Sequence, residues 1–75
     1  MEELRKAFLF ALQIWPGSQS ELARKLHIDQ SHLARIVRGE RSVTPDVARE
    51  TVELFRVVAS EMEGAAQELA VELED

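Results

Sequence analysis

Gln30, Ser31, Ala34 and Arg35 share one face of a short helical run whose opposite face is Leu33, Ile36 and Val37. The chemistry open to such a face is the reading of nucleic-acid bases. A glutamine amide can pair bidentately with adenine and an arginine guanidinium with guanine, each good pair giving about 1–3 kcal/mol of discrimination. Two further pairs flank these residues. Ser18 and Gln19 stand at the start of another helical run, where free backbone N–H groups suit a phosphate, and Arg38 and Arg41 follow the first run, where they suit a flanking phosphate. For any one of these residues, a solvated polar face is the competing reading. Contact is favoured because Gln30 and Arg35 occur together between matching helix caps. Arg24 and Lys25 carry less weight, since an exposed helix face routinely holds such charges.

The elements that must position these side chains are all helical. Leu4, Ala7, Phe8, Ala11, Ile14 and Trp15 recur at helical spacing until Pro16-Gly17 stops the run. Ser18-Gln19-Ser20-Glu21 has the spacing of a capping box, with Leu22, Ala23 and Leu26 as the buried stripe behind it. Asp29 is placed to cap the next helix, and Gly39 ends it because glycine reaches positive φ cheaply. Thr44-Pro45-Asp46 repeats the start signal, with an N-cap, a proline in the first turn and an acid near the positive end of the helix dipole. No alternating strand pattern, internal repeat or low-complexity segment is present.

A seven-residue helix, the turn His27-Ile28-Asp29 and a second helix from Gln30 have helix-turn-helix spacing, in which small Ala23 permits a close crossing and Ile28 and Leu33 fill the angle. Residues 18–39 resemble the lambda-repressor-like (XRE-type) helix-turn-helix family. The resemblance rests on Gln19, Leu22-Ala23, Ile28, Asp29, Gln30-Ser31, Leu33, Ile36 and the ending Gly39-Glu40-Arg41. With the first helix and the start of the fourth, it extends over about residues 3–60. It implies a compact all-α domain of four or five helices, to which the tail's own periodicity adds a long C-terminal amphipathic helix, and a helix from Gln30 that enters the major groove by its N-terminal end. His27 departs from the family, which most often has glycine there; positive φ costs a side-chain-bearing residue something.

Net charge at first argues against DNA. The 75-residue chain carries −5 overall, yet residues 18–45 are net +2, and the nine acids from Asp46 to Asp75 against Arg49 and Arg56 hide that basic segment in the total. The absence of cysteine removes disulfides, thiolate chemistry and Cys-based metal sites, and fits a reducing, cytoplasmic setting. AFLFALQIW is too short and too closely flanked by charge for a membrane span, and lacks a cleavage pattern for a signal peptide. His27 and His32, five apart with no converging ligand cluster, do not have metal spacing, so no metal or cofactor is expected. Catalysis is not expected either: there is no Gly-rich phosphate loop and no cleft-sized scaffold, and the carboxylates read as caps and surface charges.

The C-terminal third exceeds what a minimal domain of this kind needs. Val47, Thr51, Leu54, Val58, Met62, Ala65, Leu69 and Glu72 step by three or four, with Phe55, Ala66 and Leu73 widening the stripe. A continuous helix from Pro45 to Leu73 would be about 43 Å long, too long for so small a core to cover. Gly64 costs about 1 kcal/mol against alanine in a helix interior, so a break near Glu63-Gly64 is the competing layout. Residues 1–60 are expected to form the DNA-binding domain and 61–75 an acidic helical extension, with Leu54, Val58, Met62, Ala65, Leu69 and Leu73 as its oligomerisation seam. The leading functional expectation is a small transcriptional regulator of the repressor type, phage or bacterial, that binds double-stranded DNA as a homodimer. The alternatives are a DNA-recognition subunit of a phage or toxin–antitoxin assembly whose acidic tail binds another protein, and an interaction module that no longer binds DNA.

Overall fold

Pro16 and Gly17 do stop the first helix, α1 (Glu2–Ile14), and three more follow in the computed structural model, which describes residues 2–74: α2 (Gln19–Lys25), α3 (Gln30–Arg38) and α4 (Pro45–Leu73). Asp75, the last of the tail acids, lies outside the described residues. Among the described residues there is no strand. Phe8, Leu22, Ala23, Leu26, Leu33, Ile36 and Val43 form the core, and Leu22, Leu33 and Ile36 are its fully buried large side chains.

The buried face of α1 differs from the expected stripe. Leu4, Leu12 and Trp15 pack beside Phe8, while Ala7 and Ile14 are exposed. At about 100° per residue, Leu4, Leu12 and Trp15 fall within about 40° of Phe8, whereas Ala7 and Ile14 stand 100° or more away. Val43, in the connection to α4, is buried although no periodicity could mark a single loop residue. Thr51 is buried on the core side of α4, and its hydroxyl donates to the Val47 carbonyl at 2.8 Å, which satisfies the polar atom where it is buried.

Thr44 caps α4 by accepting from the Val47 N–H at 3.2 Å, with Pro45 in the first turn. The helix then runs without interruption through Gly64, so the two-helix layout does not occur. Glu61, Met62 and Glu63 before the glycine and Ala65, Ala66 and Gln67 after it are strong helix formers, and together they outweigh one unfavourable residue. Beyond Val58 every described residue is exposed. The helix projects past the body as an arm, and the molecule measures 53 × 23 × 18 Å.

Candidate nucleic-acid interface

Helices α2 and α3 end in the same way. After α2, His27 takes φ 60°, its N–H bonds the Arg24 carbonyl at 3.1 Å and the Ile28 N–H bonds that of Ala23 at 3.0 Å. After α3, Gly39 takes φ 84°, its N–H bonds Ile36 at 3.1 Å and the Glu40 N–H bonds Arg35 at 2.8 Å. Each is a Schellman ending, which needs one left-handed residue. The chain therefore makes the tight turn with histidine, accepting the cost that glycine would avoid, because the two bonds and half-buried Ile28 hold it there.

One anchor of α3 was invisible in the sequence pattern. The Arg5 guanidinium reaches from α1 to donate to the carbonyls of Ile36, at 2.7 Å, and Val37, at 3.2 Å. It places positive charge at the negative end of the α3 dipole, sharing the Ile36 carbonyl with the Gly39 N–H and adding a bond to that of Val37. Hydrogen bonds to charged groups contribute about 1.5–3 kcal/mol, so Arg5→Leu is expected to lower unfolding stability by an amount in that range. Urea denaturation measures it; an unchanged midpoint would show that the guanidinium does not anchor α3.

With Leu33 and Ile36 beneath it, α3 presents its polar side outward. Gln30, Ser31 and Arg35 are exposed and Ala34 is half-buried. Arg38 is exposed too, one turn beyond Arg35 on the same side. Asp29 has the extended backbone of an N-cap, but its side chain makes no capping bond, in contrast to the expected role. Its carboxylate still lies at the positive end of the helix.

At the start of α2 the expected capping box is half formed. The Glu21 N–H donates to the Ser18 hydroxyl at 3.1 Å, but the Glu21 carboxylate lies over Gly17, where a Cβ would collide with it. Ser18 also contacts the Ser20 hydroxyl at 3.1 Å, and Gln19 is exposed as the first helical residue. Trp15 braces this corner: its indole N–H donates to the Ser18 carbonyl at 3.1 Å and its ring stacks on Phe55 with centroids 5.7 Å apart. The end of α1, the start of α2 and the middle of α4 are thereby tied together.

The two flanking arginines differ in state. Arg38 forms a forked pair with Glu40, at 2.9 and 3.2 Å. That hydrogen bonding, followed by the opposite charge, raises the Arg38 pKa and holds the Glu40 carboxyl below the usual range. The pair is exposed, so a phosphate can displace Glu40 only in exchange for a bond of similar kind. Among the described residues, Arg35 and Arg41 have no ion-pair partner.

Along α4, Leu54 and Val58 are half-buried, with Leu54 packed on the core of its own chain, while Met62, Ala65, Leu69 and Leu73 are exposed. Among the described residues no cluster of three or more His, Asp or Glu side chains could hold a metal, and no helix is long and apolar enough to cross a membrane. A family model described as helix-turn-helix matches residues 17–58, which cover α2, α3 and the first half of α4. Comparison with curated proteins and with solved structures gave no match.

Proposed function

The chain belongs to the lambda-repressor-like helix-turn-helix family of DNA-binding regulatory domains, and from that premise we propose that it is a small transcriptional regulator that recognises a specific duplex sequence as a homodimer. The observation that carries this reading is the mounting of α3. Leu33 and Ile36 are buried behind it and Arg5 ties down its C-terminal end, while Gln30, Ser31 and Arg35 project into solvent. A recognition element needs this combination of a rigid seat and free hydrogen-bonding groups.

In the proposed complex the N-terminal end of α3 enters the major groove, Gln30 and Arg35 pair with base edges, and Ser31 and Ala34 shape the contact. Ser18 and Gln19 bind a phosphate at the start of α2, and Arg41 binds a flanking one. Arg38 joins it by releasing Glu40. The arm of α4, through Met62, Ala65, Leu69 and Leu73, brings two such units together so that one protein dimer meets two half-sites.

Its acids cover the solvent side of that assembly and repel DNA from surfaces other than the recognition face. The same acids, five of them with no base between Glu61 and Glu74, favour a second reading in which the arm binds a basic partner protein of a phage or toxin–antitoxin assembly.

Salt titration of duplex binding tests the DNA reading. Neutralisation of about six phosphates by a dimer gives a log–log slope near −5. No detectable duplex binding at low salt would sink the regulator reading.

A further inference from the structure

A second periodicity runs along α4 beside the one that meets the core. Val52, Ala59, Ala66 and Leu73 alternate with Ala48, Phe55, Met62 and Leu69 at strict steps of four and three, an uninterrupted apolar heptad seam of the kind that pairs with another helix. The seam follows the flank of α4 next to α1, and that junction is open. One hollow of about 130 Å³ lies between Ala7 and Ala11 of α1 and Ala48 and Val52 of α4. A second, of about 200 Å³, lies between the end of α1, at Ile14 and Trp15, and Phe55, Ala59 and Met62. Large apolar side chains stand in solvent along this strip: Val52 is 47% exposed, Met62 53%, Ile14 58%, Leu69 63% and Leu73 79%.

We infer that the end of this groove beside Trp15 is filled by the same helix of a second copy, laid antiparallel about a two-fold axis beside Gly64. The inference rests on the homodimer reading and specifies its geometry. In an antiparallel pair the two seam positions face each other, so Met62 meets Ala66 of the second copy, Ala59 meets its Leu69, and Phe55 meets its Leu73. The first two layers set a large side chain against a small one. In the third, two large side chains meet where the hollow beside Trp15 and Ile14 provides room. The paired length, from Phe55 to Leu73, is about 27 Å.

Charge favours the antiparallel sense over the parallel one, although Glu63, beside the axis, meets its own copy. Glu68, Glu72 and Glu74 come to lie along residues 54–60, whose one charged side chain is Arg56. A parallel pair would instead stack the acidic stretch on itself. A shift of one heptad toward the arm's end leaves the hollow at Trp15 empty.

The absence of cysteine allows a direct test. Full-length Ala59→Cys and Leu69→Cys chains, each altered at an exposed position, are mixed and oxidised, and compared with each variant oxidised alone. A disulfide needs Cα atoms about 4.4–6.8 Å apart, which facing seam positions approach and positions a full turn away do not. The mixture is expected to give at least ten-fold more covalent dimer than either variant alone, and Met62→Cys with Ala66→Cys should behave likewise as a second facing pair. Cross-linking of each variant with itself, or a dimeric mass with neither mixed pair linking, would overturn the antiparallel register and leave the homodimer standing. A monomeric mass for the unaltered chain across the micromolar range would overturn both.

Discussion

Leu69→Glu in the full chain is expected to convert a dimer into monomers and to lower affinity for a two-half-site operator by about 100-fold or more, while affinity for a single half-site hardly changes. The second half-site benefits from the high effective concentration that the first binding event creates, a gain of roughly 10²–10⁴ that exists only while the subunits are joined. Leu69 stands exposed on the arm, so the substitution costs the isolated subunit little. In the paired arm it places a charge in an apolar seam without a partner, where burial is expensive. A chain ending at Ser60 is expected to do the same. It keeps every buried core residue, from Phe8 to Thr51, and loses Met62, Ala65, Leu69 and Leu73. Sedimentation velocity decides between the possibilities: an identical mass for full-length, truncated and Leu69→Glu chains across the micromolar range would assign the arm to a different protein.

Arg35→Ala and Arg41→Ala are expected to weaken DNA binding in different ways. Arg35 projects from the recognition face with no ion-pair partner among the described residues, so its loss removes a base contact worth about 1–3 kcal/mol, or roughly 5- to 150-fold, in each half-site, on the preferred site only. Preference should relax at one base pair per half-site. Arg41 lies past the Gly39 turn, and its loss should weaken preferred and random duplexes about equally and make the salt slope shallower. Arg38→Ala should cost less than Arg41→Ala, because Arg38 gives up Glu40 when it binds a phosphate. Competition binding against random duplex at two salt concentrations separates the three. If Arg35→Ala and Arg41→Ala fell equally on specific and random DNA, the division into base reader and phosphate clamp would be wrong.

The order and type of the helices were already legible in the sequence because their signals act within one turn. Ser18 and Thr44 accept bonds from backbone N–H groups three residues on, Pro45 fits a first turn, and Gly39 supplies a left-handed residue. His27 was marked as the strained turn position by the resemblance to a family that most often has glycine there, and it takes φ 60°. Local spacing also suggested bonds that do not form, as at Asp29 and at the Glu21 half of the capping box, since a side chain placed at a cap need not point into it.

What only the tertiary structure decided depends on residues far apart in the chain. Arg5 reaches carbonyls 31 and 32 residues away, and Trp15 stacks on Phe55, so neither contact leaves a trace in any local period. Helical spacing proposed one broad apolar stripe along α4. Packing divided it, turning Thr51 and Leu54 toward the core and leaving Met62, Leu69 and Leu73 in solvent. A sequence fixes the angles at which side chains leave a helix, but which of those angles face a neighbour depends on where the other helices stop, and α1 stops at Ile14, well short of the end of α4.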